Sequence, residues 1–190
     1  MRLARLGALC LLLTLVVVTG RAQNSRVAFD PARSSASFRV HFRFLPAGDG
    51  QFTKVSGELQ DERARQRVLV AVDGRSLKFD GPAWMNRVTR SDAFLAVDRY
   101  PEISFRSELF DPGLLRSGGK LSGQLFLRGV RRDVAFRLLP SACQQPGRDC
   151  DIEVRGTISR HDFGMISYRF TVKNEVDFDF RVRLLAEPKP

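Results

Sequence analysis

Near the C-terminus, from Val176 to Leu184, the chain reads Val-Asp-Phe-Asp-Phe-Arg-Val-Arg-Leu, apolar at every second position. Successive side chains of an extended chain point to opposite faces. Val176, Phe178, Phe180, Val182 and Leu184 therefore share one surface, and the charges share the other. The same period runs through Phe38, Val40, Phe42 and Phe44, interleaved with Arg39, His41 and Arg43. Further strand-like runs are Arg26 to Phe29, Phe52 to Leu59, Arg67 to Val72, Glu102 to Phe110, Lys120 to Arg128, Arg132 to Leu139 and Ile152 to Ile158. Turn chemistry separates them at Pro46-Ala47-Gly48-Asp49-Gly50, Asp61-Glu62-Arg63, Gly118-Gly119 and Gly129-Val130. One region departs from this rhythm. Asp80-Gly81-Pro82 predicts a helix start, with Trp84 and Val88 on one face, and Ser91-Asp92 caps a turn carrying Phe94 and Leu95.

About eight main strands with a single helical insertion predict an antiparallel sandwich or closed barrel. Closure is preferred, because it removes edge strands and leaves an interior that holds one small ligand. Adding the apolar faces together places Phe38, Val40, Phe42, Val70, Ile103, Phe105, Leu125, Leu127, Val134, Phe136, Val154, Phe178 and Phe180 inward. This set reads either as a filled core or as the lining of a pocket for a long apolar molecule. Fifteen phenylalanines against two tyrosines and one tryptophan suit a lining with few hydrogen-bonding groups. A transmembrane barrel would turn the pattern inside out. The small Trp and Tyr supply and the ending Leu-Leu-Ala-Glu-Pro-Lys-Pro argue against it.

The N-terminus changes the picture of location. Arg2 and Arg5 precede an apolar run from Leu6 to Val18, and Gly20-Arg21-Ala22 offers small residues for cleavage. Residues 1–22 are thus expected to be a signal peptide, 23–186 a single domain, and 187–190 a loose tail. The expected location is periplasmic or secreted. Cys143 and Cys150 remain as a pair, which in an exported chain argues for a disulfide across the Gln-Gln-Pro-Gly-Arg-Asp loop. Lys and Arg exceed Asp and Glu by ten, and three of those arginines precede Gln23. The remaining chain is still basic, which attracts polyanions and anionic membrane surfaces.

Several segments in order carry a resemblance. They are Ser37-Phe-Arg-Val-His-Phe42, Gly50-Gln-Phe-Thr-Lys-Val-Ser-Gly57, Ser91-Asp-Ala-Phe94 and Tyr100-Pro-Glu-Ile-Ser-Phe-Arg-Ser107. Leu121-Ser-Gly-Gln-Leu125, Arg128-Gly-Val130 and Arg160-His-Asp-Phe-Gly164 before Glu175-Val176 follow. The set resembles the YceI-like family, exported bacterial proteins with a lipocalin-like barrel that bind polyisoprenoids and related lipids. The family often has threonine after the leucine of its Gly-x-Leu strand, where this chain has Phe126. The resemblance implies an all-β, eight-stranded antiparallel lipocalin-like β-barrel with a short helical insertion near its mouth. It also favours the pocket over the filled core.

The expected lining is Phe38, Val40, Phe42, Trp84, Phe105, Leu125, Phe136, Val154, Phe163, Phe178 and Phe180. Arg87, Arg90 and Arg160 are the head-group candidates, with Asp162 holding Arg160. The expected ligand is a long-chain lipid such as a polyisoprenoid, an isoprenoid quinone or a fatty acyl derivative. No other cofactor and no metal is expected. Transient contact with a membrane surface fits the charge, nucleic acid is not an expected partner, and a homodimer is left open. An enzyme is disfavoured: only His41 and His161 are available, and no G-x-S-x-G elbow, H-E-x-x-H or phosphate loop occurs. The competing reading is an envelope- or polyanion-binding module that uses Arg39, Arg43, Arg137, Arg155, Arg181 and Arg183.

Overall fold

In the strand Gly119–Leu127, side chains alternate between inside and outside as the sequence does: Leu121, Gly123, Leu125 and Leu127 are buried, while Lys120 and Gln124 are exposed. The computed structural model describes residues 25–186. The signal peptide expected over residues 1–22 and the tail 187–190 lie outside the described residues. The strands are β1 Arg26–Ala28, β2 Ser35–Phe42, β3 Gly48–Phe52, β4 Val55–Glu62, β5 Arg65–Asp73, β6 Leu77–Phe79, β7 Glu102–Ser107, β8 Gly119–Leu127, β9 Val130–Leu138, β10 Ile152–Ser159 and β11 Val172–Val182. Two short helices are inserted, α1 Ala83–Arg90 before β7 and α2 Leu114–Ser117 before β8.

All the strands join one antiparallel sheet in the order β1-β4-β5-β7-β8-β9-β10-β11-β2-β3-β6. The sheet curls back on itself. β2 pairs with both β11 and β3, while β1, from the same stretch of chain, pairs with β4. Phe29, the next residue after β1, bridges Leu184 just beyond β11. The result is a β-barrel with its apolar faces inward.

The strand count is eleven among the described residues, where eight were expected. The additional strands are informative. Gly48-Asp49-Gly50 reads as a turn, yet it forms β3. A Cβ on Gly50 would lie 2.3 Å from the tip of the Phe38 ring, so this glycine makes room for an aromatic ring on the paired strand. The true turn is formed by residues 43–47. β6 lies just before the expected helix start at Asp80, where the chain turns a corner after β5. There Asp73 accepts a hydrogen bond from the Arg75 amide, and the Ser76 hydroxyl accepts one from the Lys54 amide. Gly118-Gly119 is likewise no hairpin turn: it ends α2 and starts β8.

The antiparallel register sorts the connections into two ends. α1 and the following segment to Tyr100, the 43–47 turn and the 160–171 segment all lie at one end. α2, the β4–β5 turn and the loop between β9 and β10 lie at the other. That last loop carries the bonded pair Cys143–Cys150, with an S–S distance of 2.14 Å, in agreement with the pairing expected from the sequence.

Candidate ligand-binding interior

The barrel interior holds two apolar cavities separated by aromatic rings. The one nearer α2 measures ≈ 60 Å³, and its wall includes Phe29, Leu59, Phe105, Leu115, Phe136, Val154, Phe180 and Leu184. The one nearer α1 measures ≈ 40 Å³ and is walled by Phe38, Val40, Phe94, Leu95, Ile158, Met165 and Phe178, together with Thr89 and Arg160. Phe178 and Phe180 project from the same face of β11, stacked with centroids 5.9 Å apart and planes within 6°. Phe178 reaches Phe38 at 6.3 Å, and Phe180 meets Phe136 edge-on at 5.9 Å. Both β11 rings are only partly buried, whereas Phe38, Phe105 and Phe136 are buried. Each void is well below the roughly 150 Å³ cavity that takes up benzene. A long tail therefore enters only if this partition moves.

A strand glycine in the wall makes room for one of these rings. Gly156 on β10 lies beneath Phe136, and a Cβ there would come within 2.1 Å of that ring. An aromatic ring packed against a strand glycine covers the backbone that a side chain would otherwise cover.

The structure places the expected residues unequally. Phe105, Phe136, Val154 and Phe180 line the larger cavity, and Phe38, Val40 and Phe178 line the smaller. Leu125 and Phe163 are buried in the core, and Phe42 packs against it, but none of the three lines either cavity. Trp84 is half exposed, at 52%, on the outside of α1. Phe29, Leu59 and Leu115 belong to the lining and were missing from the expected set. Phe29 lies just past β1 and Leu115 in a short helix, where period-two alternation gives no signal, whereas Leu59 lies within β4, whose apolar alternation is broken by Gly57.

Arg160 is the clearest correction. It was expected at the mouth, held by Asp162. Instead it is 1% exposed, in the 3₁₀ turn Arg160–Phe163. Its guanidinium donates to the carbonyls of Lys173 at 3.0 Å, Ser167 at 2.8 Å and Val172 at 3.2 Å, and also to that of Met165. The Phe94 ring centroid lies 5.7 Å from its Cζ. Desolvation disfavours the charged form, so burial pushes the Arg160 pKa down from its ordinary value. Its donors face backbone carbonyls; they are not offered to a ligand. Arg90 is also tied inward, donating to the Leu77 carbonyl. Arg87, in the last turn of α1, is exposed.

The outer face carries paired charges. Arg39 and Asp49 are joined at 2.6 Å, Arg155 and Asp179 at 2.8 Å, and Arg183 and Asp151 at 2.6 Å. His41 lies 2.7 Å from Asp177, which also accepts a hydrogen bond from Thr157 at 2.6 Å. The Thr157 bond, and after it the His41 bond, hold the Asp177 carboxyl below its ordinary value.

Fold and interior together define a barrel protein with an apolar, aromatic-walled lumen. The chain belongs to the YceI-like family: the model of the YceI-like domain matches residues 28–184. Among solved structures, it is similar to BcnA of Burkholderia cenocepacia, with 20% identity and a TM-score of 0.66 over 83% of this chain and 99% of that one. It also resembles a polyisoprenoid binding domain from Saccharophagus degradans implicated in plant cell wall breakdown, with 16% identity and a TM-score of 0.61 over 87% and 100% of the two chains. A YceI protein of Campylobacter jejuni follows, at 18% identity and a TM-score of 0.57 over 73% and 85%. At these identities the likeness speaks for the fold. No curated protein matches the chain.

Proposed function

We propose that this chain is an exported binding protein that holds the tail of a long-chain lipid inside its barrel, for storage or transport. The observation that carries this reading is the interior: the barrel holds two apolar voids, one lined by Phe178 and the other by Phe180, whose half-buried rings stack on each other. Membership of a family with a relative described as polyisoprenoid-binding supports a polyisoprenoid, an isoprenoid quinone or a fatty acyl derivative as the ligand.

The energetics favour opening. Separating aromatic pairs costs about 0.5–1.5 kcal/mol each beyond the area they bury. A tail of ten methylenes gains about 8 kcal/mol on leaving water. A few carbons of tail therefore offset the displaced ring contacts, and longer tails gain beyond that. Binding of this kind needs no polar anchor, and selectivity follows tail length more than chemistry. Arg87 is the head-group contact that remains after Arg90 and Arg160 are tied to carbonyls. The chemistry is binding, not catalysis, with no metal and no cofactor besides the lipid. The signal-like segment 1–22 and the disulfide both fit an oxidising compartment, periplasmic or extracellular.

The polyanion-binding alternative is weaker. Arg39, Arg155 and Arg183 have carboxylate partners on the protein itself, and Arg181 lies 3.7 Å from Asp179. Native mass spectrometry with lipid extraction tests the proposal. Protein from its own envelope is expected to carry lipid, and Phe178→Arg, if folded, is expected to carry none. Unchanged lipid in the variant would contradict the interior site.

A further inference from the structure

Seven large apolar side chains are exposed among the described residues, and six of them lie at the α1 end of the barrel: Phe44, Leu45, Trp84, Ile166, Tyr168 and Phe170. Leu185 is the seventh. Such clustering separates this surface from the scattered apolar residues of an ordinary exterior. Exposure reaches 82% at Phe44 and 72% at Phe170, so the rings stand out from the rim rather than folding onto it.

The rim is held in shape. The Arg43 amide donates to the Thr171 carbonyl at 2.9 Å, which joins the 43–47 turn to the 164–171 loop. Tyr168 stacks on Phe94 at 5.7 Å, and Arg160 fastens the same loop from below through the Met165 and Ser167 carbonyls. The Asp80 amide donates to the Asp49 carbonyl at 2.8 Å, which sets the start of α1 beside the start of β3.

Charge follows the same boundary. Residues 42–48, 81–91 and 163–174 contain no aspartate or glutamate. Within them Arg43, Arg87, Arg169 and Lys173 are exposed, and none forms an ion pair with a described carboxylate. The nearest acids in sequence flank these segments: Asp49, which is bonded to Arg39, and Asp80, Asp92, Asp162 and Glu175. The exposed aromatic and aliphatic side chains lie in segments that contain cations and no acid, with Arg169 resting on the Phe170 ring at 4.9 Å, and these segments match a bilayer whose surface is anionic. The rings enter the interfacial layer, and the cations face lipid phosphates.

We propose that the α1 end of the barrel docks on an anionic bilayer surface, inserting the rim side chains of the 43–47 turn, α1 and the 164–171 loop. This rests on the outer rim and not on the interior cavities; the two readings share only Arg87, which the test leaves unchanged, so docking and lipid carriage stand or fall separately.

Trp84 is the only tryptophan in the chain, and the segment 1–22 has none. Its fluorescence therefore reports on the rim even if the N-terminal segment adds binding of its own. The full chain is mixed with vesicles whose acyl chains are brominated, made either of phosphatidylcholine alone or of equal parts phosphatidylcholine and phosphatidylglycerol. Trp84 is expected to be quenched on the anionic vesicles and about fivefold less on the neutral ones. The double variant Ile166→Ser with Phe170→Ser is expected to lower the quenching about fivefold while the melting temperature holds. Absence of quenching on anionic vesicles, equal quenching on both vesicle types, or unchanged quenching in the variant would each overturn the proposal. A concentration-dependent dimer that the same substitutions abolish, without vesicle quenching, would assign the surface to a second copy of the chain and overturn it equally.

Discussion

Arg160 shows how a charged residue can be structural while looking functional. In the sequence it opens Arg-His-Asp-Phe-Gly, a polar turn with an acid two residues on. Nothing there reveals that four backbone carbonyls from residues 165–173 converge on the site, because that convergence is made by the returning chain. A buried cation bonded only to carbonyls is costly to remove, since each acceptor is left without water or partner. Arg160→Met is expected to lower unfolding stability by about 3–5 kcal/mol, read by urea denaturation. Arg160→Lys should recover only part of this, because a point charge cannot satisfy the fork.

His41 and Asp177, by contrast, were legible: alternation set His41 on the wet face, where it meets Asp177. The Asp177 carboxyl lies below its ordinary value when folded. Its bonds therefore stabilise the protein fully above the unfolded value of about 3.9 and lose their effect as pH falls through the lowered folded value. Asp177→Asn should narrow the stability gap to wild type as pH drops below about 4. A gap that is the same at pH 3 and pH 7 would contradict this.

Among the elements, strand faces were readable and strand ends were not. Period-two alternation placed Phe38, Phe105, Phe136, Phe178 and Phe180 on inward faces, because a half-buried strand has no other way to satisfy its side chains. β3 escaped notice because Gly48 and Gly50 carry turn chemistry. Their reason is instead the rings laid over them, a fact that only pairing reveals. α1 was legible from Pro82 in its N-cap region; α2 is too short to show a period.

Gly156 tests this ring-over-glycine construction. Gly156→Ala is expected to push Phe136 into the larger cavity, cost about 1–3 kcal/mol of stability and lower lipid content in native mass spectra. The disulfide loop is a separate element at the opposite end from the proposed docking rim. Replacing both Cys143 and Cys150 by serine is expected to cost about 2–3 kcal/mol, while leaving vesicle docking unchanged.

For the whole molecule, the question is how a barrel with such small voids accommodates a hydrocarbon tail. The moving part is assigned to two rings on one face of one strand, Phe178 and Phe180, stacked on each other, half-buried, and each lining a different cavity. The sequence announced these rings as inward-facing, but it could not say that they would divide the lumen. That depends on which residues oppose them across the barrel. A crystal structure of the lipid-loaded protein tests this most directly. Continuous tail density is expected from the cavity beside Phe38 to the cavity beside Phe136, with Phe178 and Phe180 rotated away from each other. Lipid found outside the barrel, with the two rings still stacked between separate voids, would contradict this opening.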